Sequence, residues 1–274
     1  MTPGGTRPTI PLVDDNLCKD TEMHLILTGC EYVGTTTLGW AISQWAAGAM
    51  GGHHWFHDHW KIPHVNHPAA ADLATTDRLY EEWAAGKGPD PTTIGLSPEE
   101  RKQFLALSPQ LKEMFQRYHM DYHVRPSFFK NMPDHNIIGM HVDEAVYAPL
   151  YHGYGGPGQY SDRALYVRYI EEQIIELASH TVSVLVNATP EVIRRRMRES
   201  PHQDGLVQDK DIEYVVQRFE EEHERSLIKN KFTIDTSTAT VEECLETFLE
   251  KYEPFITDAD KTRMLAHRAK RRGD

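Results

Sequence analysis

The stretch at residues 23–39, MHLILTGCEYVGTTTLG, decides the fold that the rest of the chain can take. Residues 24–27 form a short apolar run, which predicts a buried strand. The glycines Gly29 and Gly34 follow it five positions apart, and Thr35 then opens an apolar pattern with helical spacing. The sequence therefore predicts a strand, a glycine loop and a helix in succession.

The glycine loop has the form of an anion-binding site. Glycines leave the backbone N–H groups free of side-chain bulk, and the helix that follows presents the positive end of its dipole to the same point. Phosphate is the expected anion, and a glycine turn that binds nothing is the alternative. Cys30 is either a small packing residue, which we favour, or a thiol made reactive by the helix N-terminus. The predicted phosphate-binding residues are Gly29, Cys30, Glu31, Tyr32, Val33, Gly34, Thr35, Thr36 and Thr37.

The composition indicates one globular domain. Of the 274 residues, 39% are hydrophobic and 26% are charged, which is ordinary for a folded chain. The net charge of −12 argues against duplex nucleic acid as a partner, because that binding depends on Lys and Arg neutralising phosphates. The 3 cysteines are unpaired by count, which suits a reducing compartment. No apolar run has the length of a membrane span and no hydrophobic leader is evident, so the cytoplasm is the expected location.

Strand and helix patterns alternate along the chain after the loop. Further strands are predicted at residues 53–56, 136–142, 181–186 and 231–235. This alternation predicts a three-layer α/β fold, with a mostly parallel five-stranded sheet and helices on both faces. Ligand-handling side chains should gather at the carboxyl ends of the strands. We expect a flexible N-terminal arm at residues 1–22, one domain at 23–256 and a basic helix or tail at 257–274.

The loop resembles the phosphate loop of nucleotide-binding kinases, G-x-x-x-x-G-K-[ST], with one departure. Thr35 stands where those kinases keep a lysine, and Thr36 stands where they keep a hydroxyl that binds magnesium. Over residues 23–252 the order of elements is similar to that of the deoxynucleoside kinase and thymidylate kinase group. The resemblance implies ATP or another nucleoside triphosphate as cofactor, together with Mg²⁺ at Thr36. The Gly-Thr-Thr of the loop also resembles the phosphate cradle of sulfotransferases.

An arginine-rich helix follows the fourth predicted strand. In the kinase group such a helix leads into a lid over the donor phosphates, which implies a lid at about residues 194–210. The resemblance makes Arg194 and Arg198 candidates for cofactor binding and Arg195 a catalytic candidate. A solvated, charged helix face is the alternative for all three. Lys61 is a further source of the positive charge that the loop lacks.

The resemblance also assigns roles to acids that follow two of the strands. Asp58 stands where the group keeps the base that takes a proton from the acceptor hydroxyl. Asp143 is the candidate Mg²⁺ ligand, and Glu144 beside it occupies a position where the group keeps an arginine. For both aspartates the alternative is an acid that caps a nearby helix. Arg125 is the catalytic candidate that would position the acceptor.

A cluster of 6 of the 16 histidines lies within residues 53–67. His57 and His59 would share one face of a strand, so a His-Asp-His metal site is geometrically feasible. No second spaced pair of ligands accompanies them. A polar, aromatic acceptor pocket formed with Trp55 and Trp60 is the favoured interpretation.

The predicted function is an ATP-dependent phosphotransfer to the hydroxyl or phosphate of a nucleoside, nucleotide or related small molecule. Two alternatives stay open. A sulfotransferase that uses a nucleotide sulfate donor is disfavoured by the lack of an Arg-x-Pro and serine pattern after a strand. A nucleotide-binding module without catalysis is motivated by Thr35. The expected partners are a small-molecule acceptor and, as a candidate, a second copy of the chain, with no membrane and no duplex nucleic acid.

Overall fold

The structure, a computed structural model, describes residues 23–52, 54, 56–58, 97–126, 136–202 and 205–272, without the side chains of His57, Asp58 and Pro98. The predicted arm at residues 1–22 and Lys61 lie outside this part of the chain. So do Trp55, Trp60 and every side chain of the histidine cluster except His54. The predictions made for these residues stay predictions.

The centre of the fold is a parallel sheet with the strand order β2-β3-β1-β4-β5. Its strands are β1 (Leu25–Thr28), β2 (Phe56–Asp58), β3 (Asn136–Ile138), β4 (Val182–Asn187) and β5 (Lys231–Asp235). The strand that precedes the glycine loop is therefore the central one. The predicted α/β class, with a parallel sheet flanked by helices, is confirmed.

Helices occupy the connections between the strands and the C-terminal segment. They are α1 (Thr35–Met50), α2 (Pro98–Leu105), α3 (Pro109–His123), α4 (His141–Tyr147), α5 (Arg163–Leu177), α6 (Pro190–Glu199), α7 (Ile212–Arg225), α8 (Val241–Tyr252) and α9 (Asp258–Arg272). A π-helical turn, Ala148–His152, follows α4, and 3₁₀ turns lie at Asp209–Asp211 and Glu253–Phe255. Within the described ranges, no helix is long and apolar enough to cross a membrane.

Both faces of the sheet are covered. Leu25 and Leu27 of β1 pack in the larger core, together with residues of α1 and α8. Ile26 packs in a second core with Met120 of α3 and Ile170 of α5. Because successive side chains of a strand point to opposite faces, burial on both sides explains why β1 is apolar throughout.

The third strand is shorter than the predicted 136–142. It ends at Ile138, and the positive φ values of Gly139 and Met140, 81° and 72°, turn the backbone out of the extended conformation. The chain then enters α4, whose first turn contains Asp143. Asp143 is therefore a helical residue, and the prediction that it directly follows a strand is wrong.

Two other boundaries differ from the sequence prediction. The structure gives the second strand as Phe56–Asp58, whereas the sequence predicts it at 53–56. Gly51 and Gly52, both with positive φ, follow the end of α1. The helical pattern that begins at Ser97 and runs on to Tyr118 predicts one helix with a kink at Pro109, but the structure has two helices there, α2 and α3. Ser108 caps α3, and Pro109 occupies its first turn, where a missing N–H costs no helical hydrogen bond.

A buried carboxylate joins α5 to the end of α7. Glu171 is fully buried and accepts hydrogen bonds from Ser226 Oγ at 2.6 Å, from the Leu227 N–H at 2.9 Å and from Arg168 Nη1 at 2.7 Å. His141 Nε2 lies 3.6 Å from its other side. Burial alone would raise the pKa of Glu171, but His141 and the bonds from Ser226 and Leu227 outweigh it and lower the pKa to about 2.

Replacing Glu171 with Gln should destabilise the fold by roughly 3 kcal/mol at neutral pH, because Arg168 and His141 lose a buried anionic partner. A folded-state pKa of about 2, below the ordinary 4.5, means that this stabilisation is present above pH 4.5 and is lost as the pH falls toward 2. Urea unfolding should therefore show a wild-type advantage that shrinks between these pH values. Glu172→Gln, at the exposed neighbouring position, is the control, and an equal loss in both variants would contradict the prediction.

Candidate functional site

The glycine loop connects the carboxyl end of β1 to the N-terminus of α1 at the centre of the sheet. Gly34 is the N-cap of α1 in the left-handed conformation, with φ 95° and ψ 25°, and as a glycine it has no side chain to cap the helix. The first N–H groups of any helix have no acceptor within it, and the helix dipole adds positive potential there. Thr36 and Thr37 are exposed. The structure thus places an uncapped helix terminus at the ligand-binding edge of a parallel sheet.

The two loop glycines are needed for different reasons. A Cβ at Gly29 would lie 2.2 Å from the carbonyl oxygen of Val186, so only glycine lets the loop pass so close to β4. A Cβ at Gly34 would meet no atom within 4 Å, but its φ of +95° is one that other residues rarely adopt. Tyr32 between them also has a positive φ, 70°, which is uncommon for a residue with a side chain.

Arg196 of α6 forms hydrogen bonds with the carbonyl groups of this loop. Its Nη1 donates hydrogen bonds to the carbonyl oxygens of Tyr32 and Val33 at 3.0 and 3.1 Å and to Thr236 Oγ1 at 3.0 Å. Its Nη2 donates to the carbonyl oxygen of Thr236 at 2.7 Å. One guanidinium therefore ties the loop to the residue that follows β5, and it fixes the carbonyl side of the loop so that the N–H side can face a ligand.

Sequence reasoning missed Arg196 and named its neighbours instead. A usable signal was the helical spacing, because Ile193 is buried and Arg196 lies three residues later on the same side of α6. Arg194 pairs with Asp209 at 3.0 Å and with Glu213 at 2.6 Å, so it is engaged with α7 and the turn before it. Two other positions, Arg195 and Arg198, are exposed.

The middle of the loop is in contact with the predicted lid. The buried carboxylate of Glu31 accepts hydrogen bonds from the N–H groups of Leu206 and Val207, both at 2.8 Å. The ring of Tyr32 stacks on His202 with 4.0 Å between ring centroids, and its hydroxyl accepts from the His202 N–H at 3.0 Å. Residues of the 194–210 segment thus lie directly against the loop, and they are held there partly by a negative charge of the loop itself.

Cys30 and Asp143 lie close to each other behind the loop. Burial, followed by the charges of Glu31 and Asp143, raises the pKa of Cys30 far above its ordinary value, so the thiol stays protonated. The packing interpretation of Cys30 is therefore preferred to the reactive one. Asp143 is itself buried, and its charge also raises the pKa of Tyr147, whose hydroxyl accepts the N–H of Glu31 at 2.9 Å. The charge of Asp143 therefore acts on Cys30 of the loop and on Tyr147, which contacts the loop, and its role as a Mg²⁺ ligand stays a prediction.

No group of three or more His, Cys, Asp or Glu side chains with metal-binding geometry occurs in the described part of the chain. The two predicted Mg²⁺ ligands are a threonine hydroxyl and a carboxylate, Thr36 and Asp143. Both are hard oxygen donors of the kind that Mg²⁺ takes from a protein while it keeps several waters and substrate phosphates. This donor set fits Mg²⁺ bound together with a nucleotide.

Glu144 stands where the resemblance expects an arginine, and a guanidinium from elsewhere lies against it. Arg163 Nε is 3.6 Å from Glu144, and Tyr154 donates a hydrogen bond to the same carboxylate. Arg163 is fully buried between the rings of Tyr154 and Tyr166, with its Nη1 3.0 Å from Glu113. Burial raises the pKa of Glu144, and the charge of Arg163 opposes that rise.

The remaining predicted residues lie at the periphery of the described structure. Asp58 ends β2, in register with Ile138 of β3, so its backbone lies at the carboxyl edge of the sheet. Its side chain is outside the described part. Arg125 is exposed just beyond the C-terminal end of α3. The roles proposed for Asp58 and Arg125 stay predictions.

Arg196→Ala should loosen the loop, because its two carbonyls and Thr236 lose their common donor. Amide hydrogen exchange at residues 30–34 should rise by roughly tenfold or more, since a hydrogen bond to a charged group contributes about 1.5–3 kcal/mol. Arg195→Ala is the matched control. The side chain of Arg195 is 54% exposed, and its contact with Glu199 is long, with 4.0 Å between Nε and the carboxylate. Similar exchange in the two variants would show that Arg196 does not hold the loop.

No family model matches the chain, and no curated protein matches it. Solved structures similar to it include the YorR protein of Bacillus subtilis in complex with phosphorylated GDP, at 16% identity over 84% of this chain and 97% of that chain, with a TM-score of 0.47. Deoxyadenosine kinase from M. mycoides with bound dCTP is similar at 12% identity over 85% and 100% of the two chains, with a TM-score of 0.45. Thymidylate kinase from Candida albicans is similar at 12% identity over 85% and 92%, with a TM-score of 0.47. Similarities at this level of identity and TM-score support no conclusion about the activity of this chain.

Proposed function

We propose that this protein is a phosphotransferase that binds a nucleoside triphosphate with Mg²⁺ and acts on the hydroxyl or phosphate of a nucleoside, nucleotide or related small molecule. The observation that carries the proposal is the uncapped N-terminus of α1, which is presented by the loop at residues 29–34 at the carboxyl end of the central strand. Backbone N–H groups at such a point bind phosphate without any side chain.

The roles proposed for the loop follow from its surroundings. The N–H groups at the start of α1 would hold the outer phosphates, and Thr36 and Asp143 would supply oxygen ligands to Mg²⁺. The metal would neutralise charge on the phosphate oxygens. Asp58 would accept the proton of the acceptor hydroxyl from the edge of the sheet, and Arg125 would help to position the acceptor.

The loop threonine at position 35 leaves the site short of one positive charge. Phosphoryl transfer needs cations on the oxygens of the transferred group, because positioning and electrostatic stabilisation supply most of its catalysis. In α6, Arg196 is engaged with the loop carbonyls and Arg194 with Asp209 and Glu213. The exposed Arg195 is therefore the candidate that would reach the phosphates when the lid moves, with Arg198 or Lys61 as substitutes.

A nucleotide-binding module without catalysis is the second candidate, and one observation favours it. Glu31 is bound by the N–H groups of Leu206 and Val207, which keeps a carboxylate inside the loop and holds the lid segment against it. A negative charge there weakens the attraction of phosphates, and Thr35 offers no cation to offset it. Formation of a nucleoside diphosphate from a panel of hydroxylated acceptors separates the two candidates, because only the phosphotransferase produces it.

Gly34→Val should abolish nucleotide binding, because a side chain would occupy the space that a phosphate needs in front of the N–H groups. ATP with Mg²⁺ at 100-fold excess over its Kd should raise the Tm of the wild type by roughly 5 °C or more and leave that of the variant unchanged. Gly52→Val is the matched control, since Gly52 also has a positive φ and open space around it but lies at the far end of α1.

The same measurement with adenosine 3′,5′-bisphosphate tests the sulfotransferase alternative. A larger shift with the bisphosphate than with ATP would favour that alternative over the proposed function. A wild-type ATP response in folded Gly34→Val would remove the loop as the nucleotide site.

Asp58→Asn should lower turnover by roughly 10²–10⁴-fold, the usual contribution of a positioned acid or base, and should leave nucleotide affinity nearly unchanged. Asp143→Asn should also lower turnover, but it should weaken Mg²⁺-dependent nucleotide binding as well, because a metal ligand is lost. Turnover and nucleotide Kd measured for both variants give the comparison. Full turnover in Asp58→Asn would return the role of the base to Asp143 or Glu144.

A further inference from the structure

A cavity outside the candidate functional site lies between the last turns of α1 and the C-terminal half of α9. It has a volume of about 320 Å³ and is lined by Gly48, Ala49, Met264, His267, Arg268, Arg271 and Arg272. Each lining residue of α9 lies three or four positions from at least one other, as in 264, 267/268 and 271/272, which places them on one face of the helix. At 1.5 Å per residue, Gly48 lies roughly 20 Å along α1 from the phosphate loop, so this cavity is separate from the proposed active site.

Among the described residues, the cavity is lined by His267, by the exposed arginines Arg268, Arg271 and Arg272, and by no acid. Within the described residues, Arg268, Arg271 and Arg272 take part in no ion pair, whereas Lys261 and Arg263 earlier in α9 pair with Asp258 at 3.2 Å and Asp260 at 3.8 Å. Three unpaired guanidiniums on one face repel one another, in a chain whose net charge is −12. An anion in the cavity would remove that repulsion.

The dipole of α9 explains only part of this arrangement. A helix dipole stabilises any cation in the last turn, whichever way its side chain points. Lys270 is in that turn and does not line the cavity, so the dipole does not explain why the arginines face it. The opposite wall is also shaped for an occupant. Gly48 has no atom within 4 Å of its Cβ position, and Gly51 gives room to the imidazole of His267, which a Cβ there would approach to 2.6 Å.

We propose that this cavity binds a small molecule with two or more linked phosphate groups. Guanidinium groups pair with phosphate oxygens through two parallel hydrogen bonds, and three of them carry more positive charge than a single phosphate, at about −1.5 to −2, neutralises. The volume lies at the lower end of the range for small-ligand pockets. A floor formed by Gly48, Ala49 and Met264 suits a compact ligand, and the negative charge of the whole chain disfavours a long polyanion such as duplex DNA.

Inorganic tripolyphosphate is the probe, titrated calorimetrically into the full chain at constant ionic strength without Mg²⁺. The triple variant Arg268→Ala, Arg271→Ala, Arg272→Ala should bind at least about tenfold more weakly, since one charge-assisted hydrogen bond contributes about that factor. Lys270→Ala removes a cation from the same turn outside the cavity and should stay within about twofold of wild type.

Gly48→Leu separates a built site from a basic surface, because it fills the cavity and changes no charge. It should weaken binding about as much as the triple variant, and it should do so equally in a Gly34→Val background, where the phosphate loop is blocked and only the cavity is left to bind the probe. Wild-type affinity in folded Gly48→Leu would overturn the proposal, and so would loss of binding in Gly34→Val alone. Tighter binding of a duplex oligonucleotide than of tripolyphosphate would overturn it in favour of an extended polyanion.

Discussion

The guanidinium of Arg196 is the interaction on which the candidate site depends. A loop that turns its N–H groups toward a ligand must turn carbonyls the other way, and buried carbonyls need donors. Arg196 supplies donors to two of them and to Thr236 at once. The positive φ of Tyr32 is sustained by this arrangement, because strained backbone persists only where its surroundings determine it. The contacts that hold this loop therefore come from the chain itself.

The sequence predicted the fold better than the site, for physical reasons. Burial on both faces leaves an apolar signature on β1 and β4, and the spacing of Gly29 and Gly34 reports local backbone requirements. Both are properties of a few neighbouring residues. The end of β3 was predicted wrongly because Met140 adopts a positive φ, which its residue type does not indicate. The hydrogen bonds from Arg196 to Tyr32 and Val33 join residues more than 160 positions apart in sequence, and no local pattern encodes them.

Charge placement in the site shows the same limit. Thr35 stands where the resemblance expects a lysine and Glu144 where it expects an arginine, but the sequence does not indicate which cations lie near them. The structure places Arg163 against Glu144 from a helix beyond the intervening tyrosine-rich stretch. In the structure, Arg194 forms ion pairs with Asp209 and Glu213. Glu31 accepts a hydrogen bond from the N–H of Leu206, in the predicted lid. The arginines of α6 therefore divide into two that hold the fold together, Arg194 and Arg196, and two that are exposed, Arg195 and Arg198.

The buried cluster around Arg163 has a consequence for the order in which the chain assembles. Glu113, Glu144 and Arg163 come from α3, α4 and α5, and all three are excluded from water. None of them can be desolvated alone without the cost of an isolated buried charge, so the three helices must close around one another together. This part of the molecule should open and close as one cooperative unit, with the sheet strand β3 included, and partial unfolding that frees a single one of these helices is disfavoured.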